Sequence, residues 1–319
     1  MGVRPEGLHF TASPHLAFNR GIAGIYTARR GHQRIAVSAI ERDAAVHAAD
    51  YVAPHQVDRV AVDSYGHLDT QALQAVLGAG NTALAVVQHA NQELGTVQRI
   101  DSITEATRAA GVPLLVDATS SIGHIGAPEG WDALVAHPAD WGGATGLGVL
   151  ALQPHTRWLT AWPEGDDWAP GGISVPLALA AAVALQEREE QRRENATRLG
   201  ALVDSIRHQV SLLDGVDVLG DPVERLPHVV TFSCLYVDGE VLLTELDRLG
   251  FAVGSGSACV TGTLEPSRVL AAIGALTHGN VRIAVHPGIT DSDVTRFLEA
   301  LPVALDTVRT RLGAPGFGR

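Results

Sequence analysis

Short apolar runs alternate with helix-period stretches from residue 8 to residue 152. The apolar runs at 35–38, 84–89, 114–117 and 148–152 read as strands. The stretches at 43–51, 69–77 and 102–110 carry apolar positions three and four apart and read as helices. Strands that alternate with helices of this length imply βαβ units and a largely parallel sheet. The run 83–87 is apolar at every position, which suits a strand covered on both faces.

The pattern changes further along. Residues 176–213 read as one long helix, apolar at first and then charged through Glu187–Arg198, which is the mark of a solvated helix face. Beyond it, strands are fewer: 229–236, 252–254 and 281–285, with helices at 239–249, 266–273 and 291–311. The expected organisation is a large α/β domain over residues 1–190. A smaller C-terminal α+β domain follows over residues 191–319, so the boundary falls inside the long helix. There is no internal repeat and no low-complexity tract.

Composition narrows the chemistry. The 319-residue chain has 46% hydrophobic and 18% charged residues, as in a well-packed globule, and its net charge of −12 argues against a general phosphate-backbone binder. All 23 basic residues counted as Lys+Arg are arginines. Arginine replaces lysine on surfaces, but a guanidinium stays charged and cannot act as an amine nucleophile. No lysine in this chain can form an imine. Residues Met1 to Thr11 lack an apolar core of signal-peptide type, and the apolar stretch 176–185 is too short to span a bilayer. The two cysteines, Cys234 and Cys259, do not form a CxxC pair, which fits free thiols in a reducing cytoplasm.

Cys259 lies in Gly254-Ser-Gly-Ser-Ala-Cys-Val-Thr-Gly-Thr-Leu-Glu-Pro-Ser267, a loop of small residues before a helix that is expected to start at Pro266. A thiol on such a loop can reach into a site and swing out. Cys234, inside an expected strand, reads as an inert small hydrophobe. The 14 histidines show neither HExxH nor a Cys/His cluster with metal spacing, so the spacing gives no metal site. Gly142 to Gly148 is glycine-rich but lacks the Lys-Ser/Thr end of a P-loop, and it reads as a tight turn into the strand at 149–152.

The Cys259 loop resembles that of the cysteine desulfurases of the longer-loop group, NifS/IscS-like members of the class-V aminotransferase family. Further stretches carry the same resemblance. They are Phe10-Thr-Ala-Ser-Pro-His15, His89-Ala-Asn-Gln-Glu-Leu-Gly95, Val116-Asp-Ala-Thr119 and Asn280-Val-Arg282. The likeness runs from about Gly7 to Leu301. It implies the fold type I of pyridoxal phosphate (PLP) transferases: a mainly parallel seven-stranded-type sheet with helices on both faces, plus the smaller C-terminal domain. It also implies PLP chemistry on cysteine with a persulfide held on Cys259, Asp117 beneath the pyridinium nitrogen, and Arg282 on the substrate carboxylate. The family's segment before the equivalent of Leu8 is missing here; the expectation is that it is absent or supplied by another chain.

The departures from that pattern set the functional expectation. In ungapped register the Schiff-base lysine position holds Asp140, after Ala139. The remaining cofactor contacts fall at His15 for the phosphate hydroxyl, Arg42 for the stacking histidine, and Gln92 and Ser120 for the groups on the ring hydroxyl. The partner-donated Arg-Ser-Gly-Thr run appears as Gly171-Gly-Ile-Ser174. With each charge-assisted hydrogen bond worth about 1.5–3 kcal/mol, the combined losses imply no covalent PLP and weak non-covalent PLP at most. The expected function is sulfur transfer or iron–sulfur assembly through Cys259, which would carry a persulfide or ligate an iron–sulfur cluster together with a partner scaffold. Two alternatives stay open: a PLP enzyme using non-covalent PLP or a partner-supplied lysine, with Asp140 or His15 as base, and a non-catalytic regulatory subunit of an active desulfurase. The expected partners are a second copy or a desulfurase-type homologue and a sulfur-acceptor or scaffold protein, with no nucleic acid and no membrane.

Overall fold

A computed structural model of the chain describes residues 2–159, 173–255 and 266–313. Two compact units emerge. The first takes residues 1–63, 67–91 and 97–193; the second takes 64–66, 92–96 and 194–319.

The first unit is built on a seven-stranded sheet. Its strands are β1 (Leu8–Thr11), β2 (Arg34–Ser38), β3 (Val57–Val60), β4 (Thr82–Gln88), β5 (Leu114–Asp117), β6 (Ala133–Ala136) and β7 (Gly148–Leu152), in the spatial order β1-β7-β6-β5-β4-β2-β3. The five strands from β6 to β3 are mutually parallel. Strand β7 runs antiparallel to both β6 and β1. Helices cover both faces, as the α/β reading expects: α1 (Pro14–Ala28) and α2 (Asp43–Val52) on one, α3 (Thr70–Gly78) and α4 (Ile100–Ala109) on the other. Alternate residues of β4 divide between the two layers. Leu84 and Val86 pack towards α1 and α2, while Ala85 and Val87 pack towards α3 and α4. That is why the run is apolar at every position.

Several elements are absent from the sequence reading. Strands β1 and β3 are short and place polar residues between their apolar ones, so neither shows a continuous apolar run. Helix α1 contains Gly21 and Gly24, which weaken any helical signal. Their value lies in packing. A Cβ on Gly24 would lie 1.9 Å from the Trp158 ring nitrogen, and one on Gly21 would lie 2.9 Å from a Leu115 methyl.

Helix α5 (Val175–Ser211) begins in the first unit and ends in the second. The second unit has an antiparallel sheet in the order β10-β9-β8, formed by β8 (Val216–Leu219), β9 (Val229–Cys234) and β10 (Asn280–Ala284). The helices α6 (Gly239–Arg248), α7 (Arg268–Ala272) and α8 (Asp291–Arg311) complete it. Its core gathers Val203 and Ile206 of α5, Val230 and Phe232 of β9, and Phe297 and Leu301 of α8. The expected strand at 252–254 reduces to one bridge between Gly254 and Arg282. The helix expected from Pro266 starts two residues later, because the Ser267 hydroxyl caps it by accepting the Leu270 amide at 3.2 Å. Among the described residues no helix is long and apolar enough to cross a membrane.

Candidate active site

The first unit gathers its polar groups around the carboxyl ends of β2, β4 and β5, where open α/β sheets place their sites. Asp117 ends β5 and is 2% exposed. Its Oδ1 accepts the Thr119 amide at 2.8 Å and the Thr119 hydroxyl at 2.6 Å. Its Oδ2 lies 3.1 Å from Arg42 Nε. Arg42 sits at the N-terminus of α2 and donates a second bond from Nη2 to Ser120 Oγ at 3.0 Å. Burial acts to lower the Arg42 pKa, but the charges of Asp117, Asp140 and Glu41 outweigh it and hold the guanidinium above its ordinary value.

Asp140 lies on a short 3-10 turn, Pro138–Trp141, that follows β6 and ends at Gly142 with a positive φ of 96°. His137 Nδ1 is 3.3 Å from its carboxylate, and His124 Nε2 is 2.8 Å from its backbone carbonyl. A carbonyl only accepts, so His124 carries its hydrogen on Nε2. Burial, followed by Arg188, outweighs the Asp140 contacts and lowers the His124 pKa. The glycine-rich residues after the turn lead directly into β7, consistent with the turn reading.

The motif at residues 89–95 divides between the two units. His89 is buried, and desolvation lowers its pKa to about 4, so the ring is neutral. Asn91 is fully buried and donates to the Ile40 carbonyl at 3.2 Å, beside Glu41 and Arg42. Glu41, also fully buried, accepts the Gln88 amide at 2.6 Å. Gln92 falls in the second unit. So does Glu93, which accepts the Ser267 hydroxyl at 2.6 Å.

Thus Arg42, Asp117 and Ser120 form one network, with Asp140 close enough to act on Arg42 by charge. His15 is exposed on the first turn of α1, behind the Ser13 cap that accepts the Leu16 amide at 3.3 Å. Arg282 lies on β10 in the second unit and exchanges two backbone hydrogen bonds with Gly254, at 2.7 and 2.9 Å. Cys259 lies outside the described residues, as do Gly171 and Gly172 of the partner-type run. Cys234 is buried, and desolvation pushes its thiol up to about 12, so it stays protonated. The roles of Glu41, Asn91, Thr119, His124 and His137 did not emerge from the sequence. Asn91 stood inside a motif already singled out, and His137 precedes Asp140 by three residues, whereas His124 is 16 residues before it.

The fold is that of the fold type I PLP transferases. The chain belongs to the class-V aminotransferase family, whose model matches residues 6–165 and 170–297, and within it to the NifS/IscS-like cysteine desulfurases. It is 31% identical to cysteine desulfurase IscS 1 of Archaeoglobus fulgidus, over 94% of this chain and 81% of that one. It is 30% identical to the IscS-like cysteine desulfurase of Mycobacterium tuberculosis, over 100% of this chain and 86% of that one. Among solved structures, a NifS-like protein superposes with a TM-score of 0.85 at 21% identity, covering 96% of this chain and 84% of the other. The apo cysteine desulfurase of Thermococcus onnurineus gives 0.80 at 19% identity, covering 97% and 81%. These two likenesses establish the fold.

Proposed function

We propose that this chain acts in sulfur transfer or iron–sulfur assembly through Cys259, without covalently bound PLP. Its relatives are cysteine desulfurases by name, and the family's enzymes are PLP-dependent. The observation that carries the reading is the Arg42–Asp117 pair. The carboxylate that would face a pyridinium nitrogen already faces a guanidinium of its own chain, and its other oxygen is taken by Thr119. The position in register with the imine-forming lysine holds Asp140, and the sequence contains no lysine to replace it. The residues present therefore do not fit a covalently held PLP.

Sulfur can still move without the cofactor. A donor persulfide passes its outer sulfur to the Cys259 thiol. The donor leaves as a thiol, Cys259 becomes the persulfide, and no net oxidation or reduction occurs. The Cys259 thiolate is the reactive form. The partners proposed are a second copy or a desulfurase homologue, plus a sulfur-acceptor or scaffold protein, all in the cytoplasm. Mass spectrometry of the protein isolated from its host tests this: a persulfide on Cys259 is expected, together with loss of sulfur transfer in Cys259→Ser. Unchanged sulfur transfer in that variant would overturn the proposal.

Asp117 and Arg282 favour a second reading, in which PLP binds without an imine or a partner supplies the lysine. A PLP titration decides between the two. Visible absorption of bound PLP, together with cysteine-dependent sulfide release, would establish the second reading. Stable pairing with an active desulfurase, with no persulfide on Cys259, would instead make the chain a regulatory subunit.

A further inference from the structure

At the opposite end of the first unit's strands, a cleft of about 400 Å³ opens at the amino ends of β5 and β6. Arg29, Arg108, Arg157 and His155 line it, over a floor of Gly111, Val112 and Pro113. The strands run parallel, so these amino ends are separated from Asp117 by the full length of β5.

Its charge is out of keeping with a chain of net charge −12. Among the described residues the only carboxylate in the lining is Asp132, and both of its oxygens are engaged. Oδ2 accepts the Leu114 amide at 2.8 Å, and Oδ1 lies 2.9 Å from His155 Nε2. Arg29 caps the end of α1 and Arg108 lies in the last turn of α4. Each helix end contributes about half a negative charge, so the two ends and Asp132 together fall short of balancing three guanidinium groups. Arg29 is held in place by its Nη2, which donates to the Gly111 carbonyl at 2.9 Å, while its Nε is buried without a partner among the described residues. Among the described residues neither the Arg108 nor the Arg157 side chain has a hydrogen-bond or ion-pair partner.

We infer that this cleft binds a phosphate-bearing small molecule of diphosphate or nucleotide size. Guanidinium groups present paired N–H donors that match phosphate oxygens. The volume lies within the range of small-molecule sites. Gly111 and the partly buried Pro113 of the floor offer apolar surface beside the charges.

Isothermal titration with inorganic pyrophosphate and with ADP tests the assignment. One site per chain is expected, with affinity falling as salt rises. Arg108→Ala and Arg157→Ala, both at exposed positions without partners, should each weaken binding by at least about tenfold, and Arg296→Ala in the second unit should not. Tighter binding of ADP than of pyrophosphate would assign the ligand as a nucleotide; equal binding would assign the diphosphate group alone. Absence of binding, equal loss in Arg296→Ala, or preference for a glutamate-rich peptide over pyrophosphate would overturn it.

Discussion

Arg42 and Asp117 form an ion pair at 3.1 Å at the mouth of the sheet, on segments 75 residues apart in the chain. Neither charge is freely solvated: the side chains are 23% and 2% exposed. Removing one partner leaves the other buried and uncompensated, which is costlier than removing both. Arg42→Ala should therefore lower stability by about 3 kcal/mol. The double variant Arg42→Ala/Asp117→Asn should recover part of the loss. Urea denaturation of the two single variants and the double closes the cycle. Additive effects would show that the pair is not coupled.

Acid should weaken the fold through His89. Its pKa is about 4 in the folded protein against 6.5 ordinarily, so between those values the unfolded chain binds more protons. The contribution is fully present above pH 6.5 and is lost as pH falls towards 4, by up to about 3 kcal/mol. His124, also lowered, acts in the same direction. Urea midpoints measured across this range should fall less steeply in His89→Gln than in the parent.

Ser267 ties the start of α7 to Glu93, with both side chains buried. Ser267→Ala removes the cap and the Glu93 hydrogen bond together, and should cost about 1–2 kcal/mol. Hydrogen exchange should show faster opening of α7 than of α8. Unchanged protection of α7 would count against the cap.

The Asp140 register makes a gain-of-binding prediction. Asp140→Lys combined with Arg42→His frees Asp117 from its internal guanidinium and places an amine at the turn after β6. The double variant should bind PLP in a form trapped by borohydride, and Asp140→Lys alone should bind it less well. Absence of trapped cofactor in the double variant would show that the register, or the part assigned to Arg42, is wrong.

Much of the fold was legible in the sequence because burial imposes a period. Strands β2, β4, β5 and β7 carry continuous apolar runs, since both faces of the sheet are covered. Helix α1 was not legible: its glycines answer to the Trp158 ring and a Leu115 methyl, neighbours distant in sequence that no local pattern encodes. The assignment of residues 64–66 and 92–96 to the second unit likewise depends on contacts distant in sequence.

The sequence by itself determined the absence of lysine, the aspartate at position 140 and a cysteine loop of small residues, because these are matters of residue type and order. Only the tertiary structure decided that Arg42 faces Asp117. An ion pair needs a few ångströms of separation and a buried setting, and the chain achieves that by bringing together the ends of β2 and β5, with β4 between them. The sequence reading placed an arginine where a ring-stacking histidine was expected; the fold made that arginine the counter-charge of the carboxylate beneath it.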